Sequence, residues 1–126
     1  MRNILTLSFI ITTLAVQSLY GQRSTEMYIP VGKSPGLSGK YTVIGTVNSL
    51  DSEARTLTCK DQSGVLYTMT VDENTKFWLD RSALKQSSVK ASLMDCKLGV
   101  LMEVKYRDND RKAGGLAEWI KIRVTQ

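Results

Sequence analysis

The chain contains no histidine. Without an imidazole it has neither the usual general base near neutral pH nor the commonest metal ligand. That excludes Ser-His-Asp and Cys-His catalysis and the common zinc sites. Carboxylate chemistry survives the exclusion, with Asp72, Asp80 and Glu118 as candidate acids. No stretch places a nucleophile beside a base, however, so neither enzymatic activity nor a cofactor is expected. Cysteine is almost as scarce, with Cys59 and Cys96 its only two occurrences. They form no C-x-x-C pair, so dithiol redox chemistry is not expected. Strong charge of one sign is also missing. The formal net charge of +5 is mild and the acidic residues are interspersed with the basic ones, short of what a dedicated DNA binder carries. Apart from residues 4–16 there is no long apolar run, and that one falls below the ~20 residues a spanning helix needs.

That single run opens what is present. Met1-Arg2-Asn3 gives a positive start, ILTLSFIITTLAV follows uncharged, and small residues stand at Ser18 and Gly21. The order describes a secretory signal peptide over residues 1–21, cut at Ser18 or Gly21. The mature chain is therefore expected in the periplasm or outside the cell, with no stable membrane span. No cysteine follows the run, so a lipid anchor is not expected. About 105 residues remain, the size of one small domain. In that compartment Cys59 and Cys96 allow two readings. One disulfide would close a loop of about forty residues and contribute roughly 3–4 kcal/mol. Alternatively, both are buried thiols, since Cys59 alternates in phase with Leu57 and Cys96 sits between Met94 and Leu98.

Residues 22–40 form an extended N-terminal arm, broken by Pro30, Gly32, Pro35, Gly36 and Gly39. Gly39-Lys40 lacks the leading glycine and the following helix of a phosphate loop, so no nucleotide site is expected there. From residue 41 the hydrophobic period is two. Strands are expected over 41–50, with a bulge or bend at Gly45, then over 54–60 and 65–72, joined by turns at Asp51-Ser52-Glu53 and Asp61-Gln62-Ser63-Gly64. Periodicity fails over 73–99, where residues 76–79 suggest a short strand and 80–98 one short helix or a pair of turns. Two further strands follow at 100–106 and 116–125. A three-strand meander, an irregular connection and a final hairpin give an all-β fold. The expectation for 41–126 is a small five-stranded OB-like antiparallel barrel, with one short helix or turn segment between strands three and four.

The positions that carry this order are Gly45, Val47, Asp51, Leu57, Asp61, Gly64, Val71, Asp72 and Thr75, then Lys97, Gly99, Val104, Lys105, Tyr106, Ala117, Glu118, Ile120 and Ile122. In this pattern the chain resembles the small secreted bacterial OB-like β-barrel domains of unknown function. The resemblance implies fold and export, and brings no catalytic residue. Cys96 stands where such domains carry an aliphatic residue, and that departure favours a link to Cys59.

An OB-type domain binds through the outer face of strands two and three and the neighbouring loops. Here that face shows Arg55, Thr56, Thr58, Lys60, Leu66, Thr68 and Thr70, with no aromatic ring for a base to stack on, so nucleic acid is not the expected partner. Lys60, Arg107, Arg111 and Lys112 form a candidate anion-binding rim, although Asp108 and Asp110 interrupt it. Asp108-Asn109-Asp110 lacks the glycine and glutamate of a calcium loop, so no metal is expected. Tyr28, Ile29, Phe77, Trp78 and Trp119 form a candidate partner patch, rimmed by Arg81, Lys85 and Lys90. The function expected is a non-enzymatic binding domain that engages a protein or envelope component. The alternative is a binder of anionic polymer, glycan or nucleic acid, through the basic rim.

Overall fold

The structure, a computed structural model, describes residues 25–126 other than Asp110 and Lys112. The expected signal peptide and residues 22–24 of the arm lie outside the described residues. The described fold is all-β: β1 (Thr42–Asp51), β2 (Thr56–Asp61), β3 (Leu66–Thr70), β4 (Lys76–Asp80), β5 (Val89–Lys90), β6 (Leu101–Tyr106) and β7 (Gly115–Arg123).

Aspartates punctuate the meander. Asp51 Oδ1 accepts the N–H groups of Glu53 and Ala54, and Asp61 Oδ1 accepts those of Ser63 and Val65. Each side chain thus stands in for a backbone acceptor and fixes a tight reversal. At the end of β3, Asp72 accepts from the N–H of Asn74, while its own N–H donates to Thr75 Oγ1.

All seven strands belong to one sheet in the order β3-β2-β1-β6-β7-β4-β5, with an additional β3–β7 pairing. That extra contact, Met69 opposite Gly115 and Thr70 opposite Leu116, brings β1, β2, β3, β7 and β6 into a ring of hydrogen-bonded neighbours. Inside the ring Leu57, Met69, Met102, Val104, Ile120 and Ile122 are all but solvent-free. Tyr106 closes the packing, donating its hydroxyl to the carbonyl of Thr68 at 3.0 Å.

Two expectations change, and one left open is decided. The strands number seven, and β3 and β4 each pair with β7 in parallel, so the sheet is mixed. Of the two forms expected over 80–98, the pair of turns is the one present. The segment makes two 3₁₀ turns, Ser82–Leu84 and Leu93–Asp95, flanking the two-residue β5. Lys85 at φ 56° ends the first turn, and a reciprocal Ser92–Asp95 cap opens the second. With so many short polar residues competing for the backbone, no run is left for a regular helix. Lastly, the bulge lies between Val47 and Ser49 rather than at Gly45. Gly45 serves close approach instead, since a Cβ there would land on the Lys60 carbonyl and the Cys59 sulfur.

Candidate functional site

The basic rim is only partly assembled. Lys60 is exposed on the outer face of β2, opposite Leu66. Arg107 is already committed, since its guanidinium grips Asp72 through two bonds of 2.9 and 3.1 Å. That pairing lowers the Asp72 carboxyl to about 2 and raises Arg107. Arg111 is exposed, with its guanidinium 6.0 Å from the centre of the Tyr67 ring. Lys112 lies outside the described residues. The threonines of the expected binding face pair across β2 and β3, Thr56 with Thr70 and Thr58 with Thr68.

The aromatic patch is taken apart by strand alternation. Phe77 points to the inner face and packs against the core, while its neighbour Trp78 faces outward. Trp78 stacks at 5.9 Å and 34° on Trp119, but the two rings are only 9 % and 4 % exposed. Buried to this degree, they do not form an open surface. Tyr28 remains exposed and Ile29 is half-buried. Of the expected rim, Arg81 donates to the Ser87 carbonyl and Lys90 sits on β5.

What lies beneath the arm was not anticipated. Glu103 on β6 stands opposite Lys121 on β7, and Arg123 on β7 stands opposite Asp80 on β4. All four occupy outward positions of their strands. Lys121, 1 % exposed, donates to Glu26 Oε1 at 2.7 Å and to Ser34 Oγ at 3.0 Å, and its ammonium sits 4.5 Å from the Trp119 ring centre. Glu103, fully buried, accepts from the Gly32 N–H, Ser38 Oγ and Thr42 Oγ1. Asp80 accepts the Val31 N–H at 2.9 Å while Arg123 donates to the Val31 carbonyl at 3.3 Å. Burial pushes the Asp80 carboxyl up, but bonds from the Val31 N–H and from the hydroxyl and N–H of Ser82 outweigh it, so the net shift is downward. The sequence does carry one sign of this face: Trp119, Lys121 and Arg123 alternate on one side of β7, leaving a lysine amid apolar neighbours.

A second feature lies at one end of the ring. Beyond Val47, which bonds to Gly99 and Val100, β1 keeps β2 on one side, and among the described residues no strand pairs with Ser49–Asp51 on the other. A groove of about 450 Å³ runs there, lined by Asn48, Ser49, Leu50, Met94, Cys96, Lys97 and Leu98. Leu98 and Met94 are 71 % and 68 % exposed, the highest values among the exposed large apolar residues. Cys96, expected to face inward, is buried at the groove, while Met94 and Leu98 on either side of it face solvent.

The cysteines are separate, unbonded thiols. Burial raises Cys59 to about 11 and Cys96 to about 12, with Asp61 and Asp95 adding to the effect. Both therefore stay protonated and poorly nucleophilic. The structure follows the buried-thiol reading rather than the disulfide. The three candidate acids are each engaged separately: Asp72 by Arg107, Asp80 by Val31 and Ser82, and Glu118 by Lys105 at 3.2 Å. Among the described residues no helix is long and apolar enough to cross a membrane. No family model, curated protein or solved structure matches the chain.

Proposed function

We propose that this chain is an exported, non-enzymatic binding domain built on an OB-type barrel, engaging a protein or envelope component through the groove beside β1. The observation that carries the reading is the groove itself. It sets exposed Met94 and Leu98 against a length of strand with unclaimed main-chain groups. An extended segment entering there gains ladder hydrogen bonds from β1 and buries alternate apolar side chains, which is how peptides add to a sheet edge. Export is supported by the order of charge, apolar run and small residues over 1–21. The OB reading is supported by the ring order β1-β2-β3-β7-β6 and its parallel β3–β7 closure. The extra β4–β5 pair then sits outside that ring on β7. The anionic-polymer alternative is weaker, since Arg107 is neutralised by Asp72 and only Lys60 and Arg111 stand exposed among the described rim residues.

The test is site-specific photo-cross-linking in the native envelope, with the reactive group at Leu98 and a control at the exposed Leu116. A reproducible adduct is expected from Leu98 and not from Leu116, and Met94→Asp should lower its yield roughly tenfold by placing a charge in the groove. Equal labelling at both positions, or indifference to Met94→Asp, overturns the reading.

A further inference from the structure

We infer that the outer face formed by β6, β7 and β4 is a second, separate binding site, for a turn-forming peptide that presents a single carboxylate, and that the chain's own arm is its resident occupant. The contacts read as peptide recognition. Asp80 and Arg123 take the N–H and the C=O of a single residue, Val31, and Glu103 takes the next N–H, that of Gly32. These three bonds engage main chain and are therefore indifferent to side-chain identity. Selectivity comes from two further contacts. Lys121, buried beside the Trp119 ring, claims the Glu26 carboxylate, and Val31 is the one apolar side chain of residues 25–41 that is fully buried. The site thus selects an acidic residue five positions before an apolar residue.

The composition of this contact separates it from a core. A segment needed only to complete the fold would cover apolar surface. This one lies on Lys121, Glu103, Asp80 and Arg123, with the Trp78–Trp119 pair on the same face. Removing charges from water offsets much of what their pairing returns, so such a contact adds little net stability and reopens at small cost. Lifting the arm rehydrates the four charges and opens the face that carries the Trp78–Trp119 pair. A partner segment with the same pattern can then take the arm's place. The arm resists only through its tether, which holds it at an effective concentration in the millimolar range.

The experiment uses the full chain and a fluorescently labelled peptide of residues 25–40. Glu26→Lys in the chain sets a cation against Lys121 and frees the site. The labelled peptide should bind this variant at least roughly tenfold more tightly than the wild-type chain, whose own arm competes. A peptide carrying Glu26→Lys should bind the variant roughly tenfold or more weakly than the native peptide. Trp78 and Trp119 are the only tryptophans. Emission should shift to the red in the variant chain and return on adding the native peptide. Val31→Asp in the chain, which frees the arm at its apolar anchor, should reproduce the order of affinities. Three results overturn the proposal: equal binding to variant and wild-type chains, binding indifferent to the peptide's charge reversal, or circular dichroism showing both variant chains unfolded. The last would make the arm part of the fold.

Discussion

Asp72 shows how one side chain can fasten a turn and a loop together. It accepts the Asn74 N–H within its own turn and both guanidinium bonds of Arg107, which lies at the end of β6. The Arg107 bonds are the main reason its carboxyl sits at about 2 in the folded chain, against about 3.9 when unfolded. A depressed carboxylate favours the folded state above its unfolded value. That contribution is complete above about pH 4 and disappears as pH falls through 2. Asp72→Asn should therefore melt below wild type from pH 5 to 7, and the two curves should converge near pH 2. A gap that stays constant across that range would show that the pairing is not its source. The thiols point the other way. Cys59 and Cys96 are raised by burial, so they are packing groups whose sulfur meets reagents only when the chain opens.

At the scale of the element, β1 shows why some features could be read from the sequence and others not. Its alternation is local, and so is that of β2, β3, β6 and β7, because one face of each strand is buried. Gly45 was legible as an exception but not as to its cause. The glycine pairs with Asp61 on one side and Met102 on the other, and it lets β2 pass so closely that a methyl group would meet backbone. Backbone yields less readily than the tip of a side chain, so Gly45→Ala should cost about 3 kcal/mol, measurable by urea unfolding. A loss within about 0.5 kcal/mol would mean that the two strands can part there. The segment 80–98 left helix and turns both open because its apolar residues are too sparse to set any period. β4 is short, and its partner β7 lies about forty residues further on, so nothing nearby announces that it joins the sheet. The covered face is the extreme case. The Glu26–Lys121 contact spans ninety-five residues, and no spacing rule reaches that far. The groove was missed for the opposite reason. Met94 and Leu98 are apolar and flank Cys96 two residues to either side, a spacing that gives no sign of exposure, yet both face solvent beside the turn at Leu93–Asp95.

For the molecule as a whole, β7 is the strand on which the architecture depends. It pairs with β6 along one edge and divides the other between β3 and β4. Removing residues 115–126 should therefore abolish cooperative unfolding rather than weaken one edge, as a thermal melt followed by circular dichroism would reveal. A shortened chain that still melted sharply would place the folding unit in the meander alone. The same arrangement has a consequence in time. β7 is made after every strand it joins, and the inner faces of β1, β2 and β3 have nothing opposite them until it and β6 arrive. A ribosome releases the chain from its amino end, so the sheet cannot close before β7 has been made. For a chain proposed to cross a membrane in extended form, that delay leaves the barrel open and threadable until β7 emerges.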